Sequence, residues 1–167
     1  SSAASDVYKR QVMSAWCPII IAPAMDHDMY IYPATQNNIE KLRSYGHHIV
    51  NPENGELASG LIGQGRLPEE QTLVNCIQMV LTTEKKFAGK TILVTAGPTQ
   101  EAIDPVRFIS NHSTGKMGIA IAKEFALHGA KVIFVHGPIG MQPDSVFGGL
   151  DIEAIDTIDA EQMYKNV

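Results

Sequence analysis

A chain of 167 residues with 44% hydrophobic content is long enough for one domain or two small ones and for a packed core, which argues against a disordered chain. The net charge of −5 and the scattered Lys and Arg lack the basic footprint of a nucleic-acid binder, so any anion site must be local. Cys17 and Cys76 lie far apart with no C-x-x-C or His partner at ligand spacing, which argues against a disulfide framework or a structural zinc and points to buried free thiols. The longest apolar run, Pro18 to Met25, is too short to span a bilayer and has no charged leader pattern before it. A cytoplasmic protein is expected.

Residues 1–11 carry no strand or helix period continuous with the rest of the chain, and Asp6-Val-Tyr-Lys-Arg-Gln11 is what the end sequence of a transposon used for sequencing libraries would encode. They are read as a library artefact or a disordered tail and set aside from the fold. Cys17 to Ala22 is a β-branched run bounded by Pro18 and Pro23, the pattern of a buried strand. The loop after it, Pro23-Ala-Met-Asp-His-Asp-Met-Tyr30, gathers Asp26, Asp28 and a His where open α/β sheets bind ligands. Either aspartate is equally a helix cap. Pro33 to Tyr45 reads as an amphipathic helix stopped by Gly46, and His48 to Val50 as a strand. From Asn51 to Pro68 the chain is rich in Gly and Pro yet keeps Leu57, Leu61 and Ile62, which a plain linker would not hold. That stretch reads as a flap with Arg66 as a phosphate or carboxylate contact, or as a connector with Arg66 a surface charge. A helix from Pro68 or Glu69 to Leu81 comes next, with Leu73, Val74, Ile77, Val80 and Leu81 set to face the core. Residues 82–89 break the period and carry charge, as a linker between domains does.

The second half begins with a strand from Lys90 to Ala96, then a long loop, a helix from about Gly115 to Leu127 and a strand from Lys131 to Val135. Together they are a βαβ unit that starts a doubly wound sheet. Ala120, Ile121, Ala122, Phe125 and Ala126 are expected on the inner helix face, with Ser113 or Thr114 as the N-cap. Ser110 and Met117 rule out a P-loop, and the loop is too long for a Rossmann turn. Lys116 would add its charge to the helix dipole, giving a place for a phosphate or simply an exposed lysine. Asp151 to Tyr164 continues as a strand and an Asp-capped helix.

Thr95-Ala-Gly-Pro-Thr99, Asp104-Pro-Val-Arg107 and Ile109-Ser-Asn-His-Ser-Thr-Gly-Lys-Met-Gly118 resemble the opening of the phosphopantothenate–cysteine ligase domain. Pro23-Ala-Met25, with Leu57-Ala-Ser-Gly60 and the glycines up to Arg66, resembles the end of the flavin-dependent phosphopantothenoylcysteine decarboxylase domain. The two occur in that order in the bifunctional family of coenzyme A biosynthesis. The resemblance implies an α/β fold: the C-terminal part of a flavodoxin-like domain over 12–81, then the first part of a Rossmann-like doubly wound domain over 90–167. It makes the chain a fragment lacking the family's catalytic His on one side and its lysine loop on the other, unable to ligate alone.

For the ligase half the resemblance implies activation of 4'-phosphopantothenate by CTP and Mg2+ as an acyl-cytidylate, which cysteine then attacks. Asn111 would handle that intermediate, Arg107 would reach the substrate phosphate of a neighbouring subunit, and Gly97, Ser113, Gly115, Lys116 and Gly118 would line the nucleotide phosphates. Lys116 enters this set on its helix position. For the decarboxylase half it implies FMN, with Pro23, Ala24, Met25, Gly60 and Arg66 at the substrate, in a homo-oligomer with dimeric ligase contacts. Two residues depart from the family pattern: Asp26 replaces Asn, and Ser59 replaces the proton-donating Cys. An alcohol is a far weaker acid than a thiol, so Ser59 would have to relay a proton, with Asp26 as its source in one coupled variant. The other reading is a binding or regulatory module that no longer turns over.

Overall fold

The computed structural model describes the backbone of residues 2–167, without the side chains of 2–5 and 144. Ser1, the first residue of the supposed artefact or tail, lies outside the described residues. The chain divides into two compact units, up to Pro68 and from Glu69 onwards.

In the first unit, residues read as a tail are helical: α1 spans Ser2–Met13, with Val7, Tyr8 and Met13 exposed. The strand expected over Cys17 to Ala22 shortens to β1 (Ile20–Ile21), which pairs in parallel with β2 (His48–Ile49). Cys17 falls outside it and is exposed, which corrects the expectation of a buried thiol there. Between these strands run α2 (His27–Ile31) and α3 (Pro33–Ser44). Pro33 opens α3, where a missing N–H costs nothing, and Ile39 buries its inner face. The Gly- and Pro-rich stretch is a β-hairpin: β3 (Glu53–Glu56) pairs antiparallel with β4 (Ile62–Arg66), with an irregularity between Glu53 and Asn54. Leu57 is buried beneath its turn.

The second unit is organised by a parallel sheet in the order β5 (Thr91–Ala96), β8 (Lys131–His136), β9 (Ile152–Asp156). Its first crossover carries a small antiparallel pair, β6 (Glu101–Ala102) with β7 (Phe108–Ile109), and then α5 (Lys116–Leu127). Also in this unit are α4 (Glu70–Leu81), α6 (Pro143–Phe147) and α7 (Ala160–Lys165). Val94, Ile119, Ala122, Ala126, Val132, Phe134 and Phe147 form one core. A parallel sheet covered by helices reads as unbroken apolar strands, and β8, Lys-Val-Ile-Phe-Val-His, is of that kind.

Two helix faces differ from expectation. On α5 the buried stripe is Ile119, Ala122 and Ala126, while Ala120 and Ile121 are exposed. On α4, Val74, Ile77 and Leu81 are exposed, and Asn75 and Cys76 are buried. The Asn75 amide explains the rotation of α4. Its Nδ2 donates to the carbonyls of Val146 (3.1 Å) and Gly148 (2.9 Å), and its Oδ1 accepts from Gln71 Nε2 (2.9 Å). Residues 82–89 are tied into the second unit, since Lys85 Nζ donates to Met79 O and Leu127 O and the Phe87 ring meets Phe125 edge-on.

Candidate functional sites

In the first unit the chain leaves β1 through Pro23 and Ala24 and is pinned at Met25, whose N–H donates to Gly65 O at 3.0 Å. The approach is too close for any side chain at position 65, because a Cβ there would lie 2.0 Å from Met25 O. This contact sets the loop against the hairpin and opens a cleft of about 330 Å³ lined by Ala24, Met25, Asp26, Leu57 and Arg66, among others. Asp26 occupies the N-cap position of α2 without capping it. Its carboxylate instead accepts from Ser59: Ser59 Oγ donates to Asp26 Oδ1 at 2.7 Å, across 33 residues of sequence. The cap reading is thereby corrected, and the two residues that depart from the family pattern are in contact. Gly60 sits in the turn, its N–H donating to Leu57 O, and neither it nor Pro23 lines the cleft. The Arg66 side chain lies across the face of Gly55.

In the second unit a cleft of about 310 Å³ opens where β5 ends and α5 begins. It brings together Gly97, Ser113, Gly115, Lys116 and Gly118, five residues spread over 22 positions of sequence. The expected N-cap is corrected: Gly115, at φ +72°, caps α5, and neither Ser113 nor Thr114 does. Asn111 accounts for this, because its Oδ1 accepts the Ser113 N–H at 2.9 Å and turns the chain before the helix. No side chain caps α5, so its first N–H groups face the cleft end of the helix without an intrahelical partner. Gly118 lets the helix settle on the strand, since a Cβ there would be 2.4 Å from Ala96 Cβ.

Asn111 and Arg107 do not line that cleft. Arg107 is exposed and held by its own loop: its Nε donates to Asp104 Oδ2 at 2.6 Å, while Asp104 Oδ1 accepts the N–H groups of Val106 (2.9 Å) and Arg107 (2.7 Å). Those two backbone N–H groups, then the Arg107 side chain, hold the Asp104 carboxyl below the usual aspartate range. The loop is fastened to the segment that follows the edge strand β9, as Gln100 N–H donates to Ile158 O and Ala160 N–H to Glu101 Oε1.

One polar group by this sheet end has no motif to mark it. His136 closes β8, in register with Ala96 and Asp156, and is buried. Its Nδ1 donates to Gly137 O at 2.9 Å; its Nε2 lies 3.2 Å from Asp156 Oδ1 but out of line for a hydrogen bond. Only the end of an apolar strand before Gly137-Pro138 could have drawn attention to it. Among the described residues no group of three or more His, Cys, Asp or Glu could hold a metal ion, and no helix is long and apolar enough to cross a membrane.

Residues 4–82 match the flavoprotein family, and residues 87–167 match the DNA/pantothenate metabolism flavoprotein C-terminal domain family. A cysteine/cysteine sulfinic acid decarboxylase from an unknown prokaryotic organism is 48% identical over 90% of this chain and 42% of its own length. The coenzyme A biosynthesis bifunctional protein CoaBC of Vibrio parahaemolyticus is 41% identical over 98% of this chain and 39% of its own length. A crystal structure of the C-terminal domain of a CoaBC protein shares 46% identity over 47% of this chain and 38% of that one, with a TM-score of 0.43. The chain thus spans about two fifths of the length of these relatives.

Proposed function

Because the chain belongs to the CoaBC family, with a flavoprotein region followed by the DNA/pantothenate metabolism flavoprotein C-terminal region, we propose that it takes part in joining 4'-phosphopantothenate to cysteine with CTP and in decarboxylating a cysteine-derived carboxylate with FMN. In the coenzyme A form of this reading the second substrate is 4'-phosphopantothenoylcysteine and the product 4'-phosphopantetheine. The observation that carries it is the cleft at the start of α5. Bare N–H groups at a helix start, one lysine and closely packed glycines are what a nucleotide triphosphate needs. Mg2+ would enter on the phosphates of CTP. Asn111, outside the cleft, would meet the acyl-cytidylate, and Arg107, exposed on its loop, would meet a phosphate across a dimer contact.

In the first unit, Met25, Leu57, Arg66 and Leu67 stand on the cleft lining, and this cleft would be where FMN is held. Bound there, FMN would supply two-electron chemistry. Asp26 on the cleft lining and Ser59, which is not on it, would hold and pass a proton between the carboxylate and Oγ. The domain division, 12–81 and 90–167, the homo-oligomer and a cytoplasmic location are parts of the same proposal.

CTP titrated into the chain should give saturable binding that Lys116→Ala weakens about tenfold, which is ~1.4 kcal/mol. In the protein at the length of its relatives, pyrophosphate should be released from CTP only when 4'-phosphopantothenate and cysteine are both present. CTP binding without any such release would favour the binding-module reading; absence of both would end the ligase assignment. A second reading, favoured by the 48% identical relative, is decarboxylation of free cysteine or cysteine sulfinic acid in the same flavoprotein cleft.

A further inference from the structure

The loop that follows β8, Gly137-Pro138-Ile139, runs against the second cleft without lining it. Gly137 N–H donates to Ala96 O at 3.0 Å, and the buried His136 ring donates from Nδ1 to Gly137 O at 2.9 Å. Nothing larger than glycine fits at 137, since a Cβ there would lie 1.5 Å from Pro98 O. These contacts hold the loop, and Ile139 stands on it half-buried at the edge of the core. Its Cγ2 methyl fills the space that two cleft glycines leave open. A Cβ on Gly97 would meet that methyl at 2.8 Å, and a Cβ on Gly115 would meet the same methyl at 2.6 Å.

Gly97 follows the last residue of β5 and Gly115 caps α5, at φ +79° and +72°, and both line the cleft. Glycine has the widest backbone freedom of any residue, so two such turns keep their places only if something else fixes them. Fixing them before an anion arrives removes that ordering cost from the binding step. We propose that Ile139 is a positioning residue of the second cleft: its Cγ2 methyl, seated against Gly97 and Gly115 together, holds the strand-end turn and the helix start at the separation in which both meet one triphosphate. The branch at Cβ is what this role requires, and bulk alone does not supply it. Valine keeps a methyl at that place and loses only the outermost carbon. Leucine keeps every carbon but carries its branch one atom further out, so it has no methyl on Cβ to set against the glycines. A role in packing alone would not favour the smaller residue, because volume-conserving swaps are tolerated best.

This rests on the reading of the second cleft as a site for a nucleotide triphosphate. The test is a calorimetric titration of the chain, of Ile139→Val and of Ile139→Leu with CTP and with inorganic triphosphate, alongside urea unfolding of each. Ile139→Val should bind both ligands within about twofold of the unaltered chain, and Ile139→Leu about fivefold more weakly while unfolding at no lower urea concentration than Ile139→Val. Triphosphate should show the same order as CTP, because the glycines meet only the phosphates. Three results overturn the assignment and leave the reading of the cleft in place: Ile139→Leu binding as tightly as the unaltered chain, affinities that merely follow the stabilities of the two variants, or a change seen with CTP and not with triphosphate. Failure of the unaltered chain to bind either ligand overturns both.

Discussion

Asp104 shows how one side chain can hold a loop in readiness. Its carboxylate accepts two backbone N–H groups and the Arg107 side chain, all of which favour the ionised form. A depressed aspartate contributes stability that is complete above its unfolded value and is lost as pH falls through the lower folded value. An NMR pH titration should therefore place the Asp104 midpoint below that of an ordinary aspartate, with the Val106 and Arg107 amide signals moving together with it. Asp104→Asn should leave Arg107 more mobile. Asn75 is the opposite case, a buried amide whose partners are all internal. Asn75→Ala strands two carbonyls and should cost about 2–3 kcal/mol in urea unfolding. That Asp26 and Ser59 belong together was legible in the sequence, because both positions depart from a known pattern, and the two side chains are hydrogen-bonded. Nothing comparable was legible at Asn75 or His136, because a polar residue inside an apolar run gives no sign of which carbonyls it will meet.

At the scale of elements, the contact of α5 with β5 is set by volume. Gly118→Ala would drive a methyl to 2.4 Å from Ala96 Cβ, which something must yield to relieve. The expected loss is about 1–3 kcal/mol, with weaker CTP binding, both measured in parallel. Ala96→Gly in the same chain should restore much of each, since it removes the opposing methyl. The strands and helices themselves were readable: β5, α5, β8, β9 and the Asp159 cap of α7 follow from apolar runs, glycine stops and capping residues. Helix faces were harder to read. The α4 helix carries apolar residues on more than one side, so periodicity alone could not say that Cys76, and not Ile77, would turn inward. The N-cap of α5 was missed because Asn111, four residues earlier, bends the chain so that the left-handed position falls to Gly115.

Over the whole molecule, buried apolar contacts concentrate in the second unit, where Val132, Phe134 and Val135 are fully enclosed. Amide hydrogen exchange should accordingly be slowest in β8 and markedly faster in β1 and β2, each only two residues long. The thiols divide in the same way. Burial raises the Cys76 thiol above its ordinary value, and the thiolate is the reactive form, so a thiol reagent should label exposed Cys17 at once and Cys76 only on unfolding. Equal labelling rates in the folded chain would contradict the buried α4 face. The two hydrogen bonds that fasten the 97–114 loop to residues 158–160 also set an order of events. Glu101 must wait for Ala160, 59 residues later, and at roughly 5–20 residues per second of synthesis that interval is about 3–12 s. During that interval the cleft at the start of α5 has its glycines and its lysine but lacks the clasp that closes its loop, so nascent chains whose residues 158–160 have not emerged from the ribosome should be cut by protease within 97–114, and released full-length chains spared.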